Sequence, residues 1–290
     1  MNVYPTSQIK RGPRATKAEV ESRRAALFSI VQQHRPMTVR QVFYQATVRG
    51  IIDKTEHGYL KIQDDLTKMR RTGTLPYGWL TDSTRMQRSP TTYDDLGQFM
   101  RTAAALYRRS LWTDANCQVE VWIEKDALAG VIYPVTQKWD VPLMSARGYA
   151  SLSFLHSAAE DIAHNGRPAF IYHLGDYDPS GVNAAAKIEE TLRDMVGDRA
   201  EIHFERLAVT EDQIRDFDLP TRPTKKTDSR AKRFGSELSV ELDAIEPETL
   251  RTLVEQHIWQ HVDHAQLKVI EAAEESERDF LRTWRDQYGR

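Results

Sequence analysis

Glu124, Asp176 and Asp178 are the side chains whose types and spacing offer the most chemistry. Asp176 and Asp178 lie in Phe170-Ile-Tyr-His-Leu-Gly-Asp-Tyr-Asp-Pro-Ser-Gly181, an apolar run that stops at an acidic loop and turns directly into a helix. In extended backbone, residues two apart point the same way, about 7 Å apart at Cα. Two carboxylates so arranged can share a divalent ion or clamp a pair of them. Asp178 before Pro179 is equally suited to cap a helix, and Asp176 could be an ordinary loop residue. A second segment adds weight to the chemical reading. Val119-Glu-Val-Trp-Ile-Glu124-Lys125 is another apolar strand ending in a carboxylate, with a helical stretch after it. Both carboxylate sets then fall at the carboxyl ends of strands, where ligands of open α/β sheets gather.

The surrounding pattern is the one that would put them there. From Gln118 the chain alternates: strand 118–124, helix 126–138, strand 141–145, helix 150–164, strand 168–174, helix 180–195, strand 201–207. This rhythm predicts an α/β fold, a parallel sheet flanked by helices. No Gly-x-Gly-x-x-Gly or Walker A pattern appears, which leaves nucleotide-binding Rossmann and P-loop readings without support. Glu241 and Asp243, again two apart, could extend the acidic site. Residues 247–288 read as two helices whose apolar contacts face the core or a second subunit.

The front of the chain reads differently. Residues 1–16 carry Lys10, Arg11 and Arg14 among Pro5, Gly12 and Pro13, a basic arm suited to phosphates. Helices follow from Thr16 to Pro36, from Thr38 to Gly50 and from Gly58 to about Arg71. Residues 73–85 then read as a short loop or hairpin. Helix, helix, helix, hairpin is the layout of a winged helix, and Lys68, Arg70 and Arg71 at the end of the third helix could face DNA. A bundle with solvated charges is the alternative. Residues 89–97 read as a linker and 98–111 as a connecting helix. The division is thus an arm (1–16), a winged-helix unit (17–88), a linker with a connecting helix (89–115), an α/β domain (116–245) and C-terminal helices (246–290).

Charge follows the same partition. Over 290 residues the net charge is −2. Residues 1–115 hold 19 Lys/Arg against 10 Asp/Glu, and the remainder 21 against 32, so a +9 front precedes a −11 back. A basic front fits a polyanion and an acidic back fits a metal site. The loop at 219–234 is an exception, with Lys225, Lys226, Arg230, Lys232 and Arg233 as candidate phosphate contacts. A single cysteine, Cys117, excludes an internal disulfide and a Cys-rich zinc site. There is no apolar run of about 18 residues and no apolar signal core at the N-terminus. These features point to a cytoplasmic protein with no membrane partner.

Glu124-Lys125 followed by Asp176-Tyr-Asp178-Pro-Ser-Gly181 resembles a Toprim domain, and the order of parts resembles the A subunit of topoisomerase VI and the meiotic double-strand-break proteins. The chain is shorter than a full A subunit, and it most resembles the small stand-alone homologues of that subunit, the mini-A proteins of mobile elements. In that family a winged helix carries an Arg-x-x-Tyr-Tyr motif whose last tyrosine attacks DNA. Arg40-Gln-Val-Phe-Tyr44 matches it, with Phe43 for the first tyrosine. The resemblance covers about residues 36–200; residues 219–245 match no family segment, and no ATPase motif is present.

The resemblance implies a DNA-cleaving tyrosine transesterase acting on double-stranded DNA. Tyr44 would be the nucleophile and the product a 5′-phosphotyrosyl link. Arg40, one helical turn away, would reach the same phosphate. Mg²⁺ held by Glu124, Asp176 and Asp178 would neutralise the transferring phosphoryl group. It also implies a homodimer, with Tyr44 of one chain serving the acidic residues of the other, and a possible separate ATPase subunit. Two other readings compete: a nuclease using metal-activated water, with Tyr44 structural, and a non-catalytic DNA-binding component of a larger complex.

Overall fold

The computed structural model describes residues 16–81, 90–224 and 234–288, with side chains to 284. Three helices open it: α1 (Lys17–His34), α2 (Val39–Val48) and α3 (Glu56–Arg71). Each starts where a threonine accepts a hydrogen bond from a first-turn amide: Thr16 from Glu19, Thr38 from Gln41 and Thr55 from Gly58. The first two are reciprocal capping boxes, which satisfy two otherwise orphaned amides each. Leu27, Ile30, Val31, Met37, Val42, Phe43, Ile62 and Leu66 make the core of this unit.

Of the loop or hairpin expected next, the described residues show the loop. Tyr77–Trp79 form a single 3-10 turn, and Leu80 makes one parallel bridge to Met37. Pro76 has no N–H to donate to a ladder, and Gly73 takes φ +74°, so this stretch turns rather than extends. Residues 82–89, which would carry the rest of a wing, lie outside the described residues. The connecting helix, α4 (Leu96–Leu106), is shorter than expected because residues 107–111 are drawn into tertiary contacts. The Tyr107 carbonyl accepts from Arg278, and the Arg109 amide donates to Glu274.

The remainder alternates as its apolar runs require: β1 (Gln118–Ile123), α5 (Asp126–Lys138), β2 (Leu143–Ser145), α6 (Leu152–Asn165), β3 (Ala169–Leu174), α7 (Pro179–Val196) and β4 (Ile202–Ala208). Then come the short α8 (Glu211–Asp216), a two-residue ribbon of β5 (Arg222–Pro223) and β6 (Leu238–Ser239), α9 (Pro247–Trp259) and α10 (His264–Tyr288). The four main strands are all parallel, in the order β2-β1-β3-β4. Val119, Val121, Ile123, Tyr172 and Leu174 cluster with residues of α5 and α9 on one face. Trp122, Ala169 and Ile171 cluster with α6 and α7 on the other. The chain is therefore an α/β protein with a four-stranded parallel sheet flanked by helices.

Strand order locates the crevice. From β1 the chain moves outward to β2, then crosses back over β1 to β3 and on to β4. The direction of winding reverses between β1 and β3, and the carboxyl ends there form the ligand crevice of an open sheet. Register brings the ends level, Ile123 opposite Leu174. No helix among the described residues is long and apolar enough to cross a membrane.

Candidate active site

Glu124 follows β1 and Asp176 follows β3, so the switch point sets these carboxylates side by side. The Asp176 amide donates to Glu124 Oε2 at 2.9 Å. Two glycines make the approach possible. A Cβ on Gly175 would lie 2.7 Å from Glu124 Oε2, and one on Gly181 would lie 2.3 Å from the Asp176 carbonyl oxygen. Burial, then the nearby Asp176 charge, pushes Glu124 up to about 7. Burial also raises Asp176, against the pull of Lys125.

Asp178 plays another part in this conformation. Its Oδ1 accepts from the Gly181 amide at 2.8 Å as the N-cap of α7, and its Oδ2 lies 3.3 Å from Arg222. Pro179 then takes the first helical position, as its locked φ favours.

Glu241 and Asp243 do join the site. They lie beside the ends of the sheet, both 3 % exposed. Lys125 is the hub: its Nζ is 2.9 Å from Asp176, 2.7 Å from Asp243 and 3.5 Å from Glu241. Burial alone would lower this lysine, but Asp243, Asp176 and Glu241 hold it well above its ordinary value. Arg40 reaches Glu241 at 2.6 Å and Arg222 reaches it at 3.0 Å. Against the cost of burial, Lys125, Arg40 and Arg222 pull Glu241 down to about 2. Thr38 donates to Asp243 at 3.3 Å. Helix α2 is thus docked on the acidic edge of its own chain's sheet, and a cleft of about 580 Å³ runs between them, lined by Arg40, Tyr59, Glu124, Lys125, Arg147 and Asp243 among others.

Tyr44 lies deeper. It is 2 % exposed and packs in the same apolar cluster as Val121 and Tyr172, with the Lys54 ammonium 5.3 Å from its ring centre. Burial lowers Lys54, whose Nζ also donates to the Pro220 carbonyl at 3.2 Å. Lys68 and Arg71 are exposed at the end of α3, with Lys68 paired to Asp64 at 2.6 Å, while Arg70 sits over the Tyr77 ring at 5.6 Å. Lys225, Lys226, Arg230, Lys232 and Arg233 lie outside the described residues.

Arg206, Arg222 and Lys54 were not among the sequence candidates. Arg206 Nη2 donates to the Gly175 carbonyl at 2.9 Å and to that of Asp176, and Nη1 to that of Gly181 at 3.3 Å. It pins the acidic loop from beneath, and burial lowers its own ordinary value. The one local signal for it is a charge on the apolar alternation of its strand, Ile202-His-Phe-Glu-Arg-Leu-Ala208, in step with Ile202 and Phe204.

Among the described residues no three His, Cys, Asp or Glu side chains converge as a ligand set for a metal. Glu124 and Asp176 nonetheless fit a magnesium ion, which keeps several waters and binds proteins through one or two carboxylates. Burial, and after it the neighbouring Asp176 charge, keeps a proton on Glu124 up to about neutrality, and a bound cation would take that proton's place. Asp178, committed to its cap and to Arg222, does not join them here. No protein-family model matches the chain, and no curated protein matches it either.

Proposed function

We propose that this chain is a magnesium-dependent, DNA-cleaving tyrosine transesterase of the type IIB topoisomerase A-subunit kind, a winged-helix unit joined to a Toprim domain and acting on double-stranded DNA as a homodimer. The observation that carries the reading is the docking of α2, which bears Arg40 and Tyr44, on an acidic cluster at the switch point between β1 and β3.

Arg40 suits a phosphate, because its planar fork matches two oxygens at once. In the free protein that fork is held by Glu241, so DNA would have to take the guanidinium over. In the reaction the Tyr44 oxygen bonds to phosphorus as the bond to the 3′-oxygen breaks. The phenol, with an ordinary pKa of about 10, must give up its proton to water as it attacks, and Lys54, 5.3 Å from the ring centre, is a cation that would stabilise the phenolate. The leaving 3′-oxygen needs a proton, and Glu124, half-protonated near neutral pH, suits that donation. Lys125 keeps Asp176 and Asp243 in place, and Arg206 holds the loop. Bound magnesium would supply positive charge against the phosphate oxygens from Glu124 and Asp176.

One observation favours a second reading, a Toprim nuclease using metal-activated water. Tyr44 is buried, and α2 must lift before its hydroxyl can meet DNA. Labelled duplex incubated with the protein and Mg²⁺, then run on a denaturing gel, separates the two. A protein-linked strand supports the transesterase, and free-ended fragments support the nuclease. Intact DNA under conditions where the protein binds it would overturn both and leave the non-catalytic DNA-binding component.

A further inference from the structure

We propose that Arg40, Arg222 and Lys125 form a seat for one backbone phosphodiester of a DNA strand, and that Glu241 fills this seat in the free protein as an internal mimic that the strand must displace. The three cations come from separate segments: Arg40 from α2, Lys125 from the turn after β1 and Arg222 from β5. They converge on one carboxylate. Arg40 Nη1 lies 2.6 Å from Glu241 Oε2, Lys125 Nζ lies 3.5 Å from the same oxygen, and Arg222 Nη1 lies 3.0 Å from Oε1. Arg222 also reaches Asp178, and Lys125 reaches Asp176 and Asp243. Among the described residues, Glu241 is the acid on which all three meet. Burial lowers Lys54, and the charge of Glu241 opposes it, so a fourth cation lies within range of the same carboxylate.

The ligand follows from what these cations already hold. Each oxygen of Glu241 is gripped by a different guanidinium. A phosphodiester has the same pattern, one negative charge shared by two free oxygens, and guanidinium forks match it. Exchanging the carboxylate for the phosphodiester leaves the local charge unchanged. Seating a phosphate beside Glu241 would instead crowd two anions onto one set of cations.

The seat can be entered from outside. The side chains of Arg40, Lys125 and Arg222 are 32 %, 22 % and 22 % exposed, whereas that of Glu241 is 3 % exposed beneath them. Arg40 and Lys125 line the same cleft as Glu124, so a phosphate seated there lies beside the acid suited to protonate a leaving oxygen. The backbone at Glu241 is fixed: Val240 and Tyr177 each donate to the other's carbonyl at 2.9 Å, and the Ala244 amide donates to the Glu241 carbonyl at 2.9 Å. Displacement therefore asks only the side chain to swing. The free protein is self-inhibited, since DNA is held only by molecules from which Glu241 has withdrawn, and the apparent affinity is reduced by that fraction. This inference rests on the proposed action on DNA and names the groups through which the same site takes its substrate.

Fluorescence anisotropy of a labelled DNA duplex, in EDTA so that no strand is cut, compares the full chain with its variants. Glu241→Gln keeps the shape and removes the charge, and it should tighten binding about tenfold or more. Glu237→Gln, at an exposed acid on the same segment, is the control for a general loss of negative charge and should change affinity by less than about twofold. Arg222→Gln should weaken binding about tenfold, and Glu241→Gln combined with Arg222→Gln should lose the gain. Circular dichroism checks that each variant is folded; should Glu241→Gln fail to fold, Arg222→Gln decides alone. A folded Glu241→Gln that binds duplex no better than wild type makes Glu241 a structural ion pair and overturns the inference. An Arg222→Gln that binds like wild type overturns it too. Inorganic phosphate that displaces duplex from Glu241→Gln at millimolar levels would assign the seat to the free ion and overturn the DNA strand as its ligand. If neither wild type nor Glu241→Gln binds duplex at low salt, the DNA reading itself falls. A Glu241→Gln that binds more tightly yet forms no adduct with Mg²⁺ leaves the seat standing and removes only the transesterase.

Discussion

Glu120 and Glu124 are two carboxylates four residues apart, both pushed up to about 7, with different work to do. Burial is the leading cause at each. At Glu124 the neighbouring Asp176 adds to it; at Glu120 a hydrogen bond from Trp122 Nε1 at 2.7 Å partly offsets it. Glu120 faces the α6–α7 side of the sheet, away from the crevice, and its titration reports on stability alone. An acid raised in the fold keeps its proton while the unfolded chain has released its own. The unfolded state therefore gains between the ordinary value of 4.5 and about 7, and stability falls as pH rises through that window. Glu120→Gln should flatten that fall, by at most about 3 kcal/mol. Thermal unfolding of both proteins from pH 4.5 to 8 checks it, and equal slopes would refute the role of burial here. Two variants address chemistry. Tyr44→Phe should abolish any covalent adduct while leaving DNA affinity nearly unchanged; an adduct that persists sinks the transesterase. Asp178→Asn should lower Mg²⁺-dependent cleavage steeply with the fold intact, because bound DNA would draw Arg222 off Asp178 and free its Oδ2 to join Glu124 and Asp176 on the metal, while asparagine caps a helix as well as aspartate does. Undiminished cleavage by that variant, or by wild type in EDTA, removes Asp178 or metal from the chemistry.

At the scale of elements, the loop from β3 to α7 is where sequence and fold agree most closely. Apolar residues from Ala169 to Leu174, a cap at Asp178 and Pro179 at the first helical position are local signals, so the strand, the helix and the loop between them were all legible. The rest of the βα alternation was legible for the same reason, with β2 shortened to Leu143–Ser145. What was not legible depends on residues far apart in the chain. Arg206, Arg222 and Lys54 reach the site from three segments that carry no shared pattern, and Glu241 with Asp243, though a candidate pair by spacing, owe their place there to Lys125, which no local pattern links to them. The buried position of Tyr44 was hidden too, since a tyrosine in an amphipathic helix reads alike as nucleophile and as core. The loop offers its own prediction. Gly181→Ala would drive a Cβ to 2.3 Å from the Asp176 carbonyl and 3.0 Å from Glu124 Oε2. The chain must shift there, at a cost of about 2 kcal/mol, and Glu124 and Asp176 would part. Denaturant unfolding and the cleavage assay should both register the change, whereas unaltered stability would mean that the loop is looser than its contacts imply.

At the scale of the whole molecule, the question is how the basic front meets the acidic edge. The +9 of residues 1–115 predicts DNA binding that is mostly electrostatic and weakly sequence-specific, its log affinity falling by about 0.9 per log unit of salt for each phosphate contacted. A flat salt dependence would take the basic surface out of the mechanism. The second issue is which chain's tyrosine serves which site. Family resemblance suggests that Tyr44 serves the partner's carboxylates. In the free protein, however, α2 packs on its own chain: Arg40 on Glu241, Thr38 on Asp243, and Arg251 of α9 on the carbonyls of His34 and Pro36. These contacts predict that Tyr44 works with Glu124, Asp176 and Asp178 of its own chain. Two differently tagged chains, one Tyr44→Phe and one Asp178→Asn, can be combined and the mixed dimer isolated. If the site is built within one chain, each site carries one lesion and nothing is cut. If it is shared, one site carries both lesions and the other neither, so nicking returns. A mixed dimer that nicks DNA as wild-type dimers do would show that α2 leaves its resting place and crosses to the partner. The contacts of α2 seen here would then be those of a closed state that DNA must open.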